Sequence, residues 1–387
     1  VAVVDNFFLG KESNLFQAIE NYKDKIKVYR EDAAEFSSME AVCKAEKPDV
    51  VFNLATKALL YSFFNPPGAY RVNVDIAENF GELLRKKVFG KLIHVSTSEV
   101  YGTARQNSMA EDHPLMAETS YAAGKAAADL LLTSYVNMFD LDITIVRPFN
   151  NYGPRQNEGA LAAVIPETIK RIRSGQEPFI EGDGLQTRDF IYVEDTVKNL
   201  LHLSSLREAR GKIFNLGSGK ETAINSIIET LSKIMEYSGE IKILPERPAD
   251  VRRHCANMDY AKKLLGEISL TSLEDGLNQT VWIVDKNQKI RKVSESSQCD
   301  IARAYKLTTL LLKMKPDEHE YKVMGLAPYA KNEYSINVYK KVYKDLLQVK
   351  GTKIVHKQRP KDLYKYLIDN TTGERFDNIA GGVQIFV

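Results

Sequence analysis

Short apolar runs alternate with segments of helical apolar spacing through the first half of the chain. Val1–Val4, Lys27–Tyr29, Asp49–Leu54 (DVVFNL), Lys91–Val95 and Asp142–Val146 read as strands. Met39–Glu46, Ala69–Lys87 and Ser120–Phe139 read as helices, with Pro48 and Pro148 as stops. The strands are continuously apolar, which predicts burial on both faces. This alternation predicts an α/β fold with a doubly wound parallel sheet. After Gly153 the elements shorten. Helices are expected at Ile165–Arg173, Glu194–Leu203, Ile224–Met235, Asp259–Leu265 and Leu273–Trp282, and strands at Asp189–Val193 and Lys212–Leu216. The predicted layout is a first domain over 1–153, completed by elements from 186–222, and a smaller α+β domain over 154–283. A polar linker, 284–298, then leads to a last segment, 299–387, with helical candidates at Ile301–Lys313 and Val338–Leu347.

Composition narrows the class. The chain has 387 residues, 44% hydrophobic and 27% charged, which fits a soluble globular protein of two or three domains. No apolar stretch reaches the roughly 18 residues of a membrane span. Cys43, Cys255 and Cys299 lie far apart without a CxxC pair. That argues against a disulfide scaffold or zinc ribbon and for a reducing, cytoplasmic setting. Val1 already belongs to a predicted strand, and no signal-peptide pattern precedes it. The net charge of +2 hides a split, −6 over 1–283 and +8 over 284–387, which suggests two units of different origin. The basic part disperses its lysines among tyrosines and acids, so it reads as a solvated surface rather than a nucleic-acid groove. The six histidines show no HxxxH or HExxH spacing, and no metal site is expected.

The strongest local chemistry is Thr97 with Tyr121-x-x-x-Lys125. Residues at i and i+4 share one helix face, and only one of the 19 tyrosines has lysine at that spacing. An ammonium beside a phenol favours the phenolate and lowers its pKa. Such a tyrosine can exchange a proton with a sugar hydroxyl. Thr97, at the end of a parallel strand, can hold the same hydroxyl, where open α/β sheets place their ligands. Glu99 stands nearby as a second base or as a helix-initiating acid. Asp5 ends the first strand, where a carboxylate accepts from an adenosine ribose and disfavours a 2′-phosphate, pointing to NAD. Arg188 and Arg247 suit a diphosphate or a surface ion pair.

These residues stand in an ordered series: VAVVDN, VFNLA, NPPGAYRVNV, HVSTSEVYGTA, YAAGK, VRPFNNYGPRQ, GDGLQTRDFIYVEDT, FNLGSG and RPADVRRHCANMDYAKKLLG. The series resembles the extended short-chain dehydrogenase/reductases, specifically their NAD-dependent nucleotide-sugar epimerases, dehydratases and decarboxylases. The resemblance implies a Rossmann-type sheet, NAD as cofactor and a nucleotide-diphosphate sugar as substrate. It carries Thr97, Tyr121 and Lys125 onto the catalytic triad. Asp5, Asn6, Asp32, Leu54, Ala55 and Asn73 fall on cofactor positions, and Asn150, Arg188, Arg247 and Asp250 on substrate positions. It further implies a homodimer built on the helices at Ala69–Lys87 and Ser120–Phe139. Such enzymes oxidise C4 of the sugar to a ketone. Thr97-Ser98-Glu99 lacks the aspartate of the usual dehydratase motif, which favours a 4-epimerase; a 4,6-dehydratase and a uronate decarboxylase stay open.

Two departures matter. The family opens with a strand and GxxGxxG, whose glycines let the backbone approach the cofactor pyrophosphate. No GxxGxxG occurs in this sequence, and its first glycine is Gly10. The expectation is a sheet lacking its first βα unit, with neighbouring strands unpaired and NAD bound weakly or not at all. In the tail, KPDEHEYKVMGLAPYA (315–330) and GERFDNIAGGVQ (373–384) resemble a stretch of the O-carbamoyltransferases, so a partial α/β segment of that kind is expected. The family's metal-binding histidine pair is absent. Carbamoyl transfer through this segment, and ligand binding without catalysis, are the readings of another class.

Overall fold

The computed structural model describes residues 1–22, 25–159, 161–246 and 250–288, and, beyond these, 336–343, 347–350, 353–356, 363–371 and 379. The chain divides into two compact units, Val1–Val284 and Asp285–Val387.

In chain order the first unit contains β1 (Ala2–Val4), α1 (Phe16–Tyr22), β2 (Lys27–Tyr29), α2 (Phe36–Glu46), β3 (Val50–Asn53), α3 (Pro66–Arg85), β4 (Lys91–Val95), α4 (Ser120–Phe139) and β5 (Ile143–Pro148). It continues with β6 (Asn150–Tyr152), α5 (Val164–Arg173), β7 (Phe179–Glu181), β8 (Thr187–Tyr192), α6 (Val193–Ser205), β9 (Ile213–Leu216), β10 (Glu221–Ala223), α7 (Ile224–Ile234), β11 (Lys242–Leu244), α8 (Asp259–Leu265) and α9 (Leu273–Gln288). The last helix continues into the segment read as linker.

β3, β4, β5 and β9 form a parallel sheet in that order. Consecutive residues of β4 feed opposite faces. Leu92 joins Met39, Phe80, Leu83 and Leu132 under α2, α3 and α4, whereas Ile93 joins Val146, Leu203, Phe214 and Leu265 under α6 and α8. Both are fully buried, each worth roughly 1.5–3 kcal/mol of transfer free energy. This is the doubly wound arrangement that the continuous apolar runs imply. β1 and β2 pair in parallel as a separate two-stranded sheet. Among the described residues no backbone pairing joins β1 to β3, so each keeps an unpaired edge. Val4 nevertheless packs into the core beside Phe36 and Val51.

The remaining strands carry the smaller α+β part. β6, β8 and β10 form one sheet, with β8 central, and β7 pairs with β11. α5, α7 and α9 close over it through Ile165, Ile169, Ile227, Leu231 and Leu277. These strands, except β8, have only three residues, too few for a periodic signal.

Capping fixes the two helices nearest the site. Asn65 Oδ1 accepts from Gly68 N at 3.0 Å, and Pro66 opens α3 where its missing N–H costs nothing. Thr119 Oγ1 accepts from Ala122 N at 3.2 Å to start α4. The helices approach closely at Gly124, where a Cβ would lie 2.6 Å from the Tyr70 carbonyl oxygen.

In the second unit a π-helical turn (Tyr339–Tyr343) precedes an antiparallel hairpin, β12 (Leu347–Lys350) and β13 (Lys353–His356), and α10 (Leu363–Thr371). The candidate at Val338–Leu347 is helical through Tyr343 as far as the described residues run, and its last residue begins a strand. Residues 301–313 and 315–330 lie outside the described residues, as does 373–384 apart from Ile379.

Candidate active site

β4 delivers its chain to the carboxyl edge of the sheet as Ser96-Thr97-Ser98-Glu99. Thr97 Oγ1 accepts from Glu99 N at 3.2 Å, starting a 3-10 turn over Ser98–Tyr101. α4 then presents Tyr121, Lys125 and Asp129 at four-residue steps. The Tyr121 phenol faces the hydroxyls of Thr97 and Thr56, which both draw its pKa down, and its backbone N donates to Ser62 Oγ at 2.9 Å. Lys125 is buried and donates from Nζ to the Val95 carbonyl oxygen at 2.9 Å. The structure thus brings Thr97, Tyr121 and Lys125 together.

The expected electrostatics of Tyr121 need correction. Burial pushes its phenol up to about 12, against the pull of Thr97 and Thr56. Burial also draws Lys125 down to about 8, which the charge of Asp129 opposes. The resting phenol is therefore neutral, because removing a charged form from water outweighs the lysine at this depth.

Asp129 anchors a buried network that the sequence reading missed. Arg147 Nε donates to Asp129 Oδ2 at 2.9 Å, and Arg147 Nη1 donates to the Tyr101 hydroxyl at 2.9 Å. Tyr101 in turn donates to Asn215 Oδ1 at 2.7 Å. Burial pushes the Asp129 carboxyl up while Arg147 and Ser96 pull it down. An arginine keeps its charge, so Asp129 must answer as a carboxylate. His94, which burial keeps neutral, holds Nδ1 3.0 Å from Asn53 Nδ2 and Nε2 3.9 Å from Asp129 Oδ1. Asp129→Asn is expected to destabilise the fold by about 3 kcal/mol, because it strands a buried guanidinium. Urea unfolding reads this directly, and a loss under about 1 kcal/mol would show that Tyr101 and the Glu111 carbonyl suffice for Arg147.

The remaining cofactor positions form two groups. Asn73 is buried and ties down the loop after β3: Thr56 Oγ1 donates to its Oδ1 at 2.8 Å, and its Nδ2 donates to Ala69 O at 2.7 Å. In that loop Leu54 is exposed, and Ala55 packs on the core. At the other group, Asp5 Oδ1 accepts from Phe7 N at 2.7 Å, and Asn6 Nδ2 donates to Asp32 Oδ2 at 2.7 Å. Asn6 and Asp32 engage each other across 26 residues of sequence.

The substrate positions border a cavity of about 580 Å³, within the usual range for small-ligand sites. Glu99, Asn150, Arg188 and Asp250 all line it, together with the apolar Leu59, Leu60, Phe63 and Phe64. Arg188 Nη2 donates to Asp250 Oδ1 at 2.7 Å, so the guanidinium read as a diphosphate ligand already holds a buried carboxylate. At the cavity's far end the Arg171 guanidinium lies 5.1 Å from the centre of the Phe179 ring, a pair the sequence did not announce. Arg247 lies outside the described residues. Among the described residues no cluster of His, Cys, Asp or Glu could hold a metal, and no helix is long and apolar enough to cross a membrane.

A doubly wound sheet with Tyr, Lys and Thr gathered at its carboxyl edge beside such a cavity defines a Rossmann-type oxidoreductase class. Comparison with known proteins takes the assignment further. The chain belongs to the NAD dependent epimerase/dehydratase family, which matches residues 9–217. It is 31% identical over 283 residues to UDP-glucose 4-epimerase of Mycolicibacterium smegmatis, covering 73% of this chain and 89% of that protein. It is 29% identical over 290 residues to UDP-glucuronic acid decarboxylase 1 of Xenopus tropicalis, covering 73% and 65%. The structure of UDP-glucose 4-epimerase from Thermotoga maritima with UDP-glucose aligns at a TM-score of 0.69 and 29% identity, over 75% of this chain and 92% of that one. The protein is thus an enzyme of an NAD-dependent, sugar-modifying family, and its cofactor is NAD.

The residues fit the cofactor in part. Lys125 spends one of three ammonium donors on Val95, which leaves two that a ribose could take. Asp5, Asn6 and Asp32 offer polar side chains for an adenosine. No GxxGxxG is present for the pyrophosphate.

Proposed function

We propose that this protein is a nucleotide-sugar 4-epimerase acting on a nucleoside-diphosphate hexose. The observation that carries the reading is the Tyr121 phenol facing Thr97 from the helix that also carries the buried Lys125, with Glu99, two residues beyond Thr97, lining the cavity. Three relatives' names support the sugar-nucleotide class: two epimerases and one decarboxylase. Within that class, Ser98 supports epimerisation. It is buried and places no second carboxylate beside Glu99.

When bound, NAD supplies the hydride acceptor. Tyr121 first gives its resting proton to solvent as positive charge gathers beside it; the phenolate then takes the proton of the C4 hydroxyl and later returns it, serving as base and then acid. Thr97 orients that hydroxyl from its place beside the phenol. Lys125 carries its ammonium below about pH 8 and steadies the phenolate. The apolar Leu59 and Phe63 keep water from the ketone sugar, and Asn150 meets the sugar in the same cavity.

The test is product analysis by NMR after incubation with NAD and, in turn, UDP-glucose, UDP-N-acetylglucosamine, UDP-glucuronate and dTDP-glucose. The expected product is a C4 epimer of unchanged mass. Loss of water would assign a 4,6-dehydratase, and loss of carbon dioxide from the uronate a decarboxylase; either overturns the proposal.

A further inference from the structure

His254 has no role in the chemistry described so far, yet it is fully buried directly behind the cavity wall. It follows the cavity residues Asp250 and Val251 by a few positions. Its Nε2 lies 3.0 Å from the carbonyl oxygen of Gly102. A carbonyl only accepts, so Nε2 carries the proton and Nδ1 presents a lone pair. That Nδ1 has no hydrogen-bond partner and faces Glu99 Oε1 at 3.9 Å.

The surroundings keep the ring neutral. Burial lowers the imidazole to about 3, assisted by the charges of Arg188 on β8 and His113 on the loop before α4. The Phe149 ring meets it edge-on at 5.8 Å. His254 therefore cannot answer Glu99 with a positive charge. A lone pair aimed at a carboxylate oxygen inside a protein is unfavourable unless a proton stands between them. The group that can bring that proton is the Glu99 carboxyl, whose other face borders the cavity. A separation of 3.9 Å is one small rotation from a hydrogen bond, and such bonds are often long before a ligand binds.

We propose that Glu99 and His254 form a second proton-holding pair, in which the Glu99 carboxylic acid donates to His254 Nδ1 and can turn the same O–H to a sugar oxygen in the cavity. The Glu99 O–H stays intact in both arrangements, and only its hydrogen-bond acceptor changes. His254 never changes charge; it is a positioning residue that keeps the acid form of Glu99 available. The ligand in this statement rests on the proposed function, whereas the pair rests on geometry alone.

The experiment uses the full chain without ligand. Long-range ¹⁵N NMR of the histidines is expected to show His254 as the neutral Nε2–H tautomer from pH 5 to 9, with no titration near the ordinary value of about 6.5. Its Nδ1 resonance is expected to follow one carboxyl titration, which disappears in Glu99→Gln. In His254→Ala, ¹³C-carboxyl NMR is expected to place the Glu99 midpoint about one pH unit lower; His254→Gln serves if the alanine variant does not fold. An Nδ1–H tautomer, a His254 midpoint near 6.5, or a Glu99 midpoint unmoved by both variants overturns the pair. Failure to convert any nucleotide sugar would sink the proposed function and leave the NMR outcome standing.

Discussion

Tyr121→Phe is expected to lower kcat for the nucleotide sugar about a thousandfold while KM changes little, since a positioned acid–base group is worth about 10²–10⁴ in rate. The substitution deletes one oxygen. The ring remains, α4 keeps its Thr119 cap, and Tyr121 N still bonds Ser62 Oγ. Thr97 and Thr56 lose a polar neighbour, at a cost of about 1 kcal/mol, too little to unfold the domain. What disappears is the atom that holds the proton. Because burial sets the phenol to about 12, wild-type Tyr121 rests protonated and ionises only as positive charge accumulates beside it. The variant can take no such proton at any pH. Steady-state kinetics on whichever nucleotide sugar turns over, with circular dichroism as the fold control, check this. A loss of less than tenfold would remove Tyr121 from the chemistry and leave a binding role.

The sequence pattern carried the parts of this site that depend on regular spacing. Continuous apolar strands announced the double-sided core that β4 serves with Leu92 and Ile93, and a four-residue step set Tyr121 over Lys125. The same step continues to Asp129, so that residue was readable as a third member of the face. Its partner Arg147 was not, because the pair forms between α4 and β5 across 18 residues. Thr56, Asn6 with Asp32, and His254 with Glu99 are likewise products of tertiary approach. The sign of the Tyr121 shift was missed for a related reason: spacing supplies the neighbouring charge, but depth supplies the desolvation, and depth is a product of tertiary packing. β6, β7, β10 and β11 escaped because three residues cannot show a period. Arg188 was read as a diphosphate ligand or a surface ion pair; that it is buried and that Asp250 holds it, 62 residues away, needed the fold.

The polypeptide 1–387 is expected to bind NAD with a Kd weaker than about 1 mM, and to gain at least a hundredfold when preceded by a strand–GxxGxxG–helix unit taken from a relative. The physical reason is local. A pyrophosphate is held by backbone N–H groups of a glycine-rich turn and by the start of the following helix. Each bond to a charged group contributes about 1.5–3 kcal/mol, so two or three of them account for the hundredfold and more. On the proposed reading Tyr121 and Lys125 serve the nicotinamide end and Asp5 and Asn6 the adenosine end, and residues 1–387 carry no GxxGxxG for the pyrophosphate between them. The sheet offers an independent readout. β1 and β3 each have an unpaired edge among the described residues, and a parallel strand placed between them would join the two sheets into one. The lengthened polypeptide is therefore expected to melt at a higher temperature even without NAD, with a further rise when NAD is added. Isothermal titration separates the two effects: micromolar binding by residues 1–387 alone would mean that side chains already present hold the pyrophosphate, and would overturn the prediction whatever the melting temperature does.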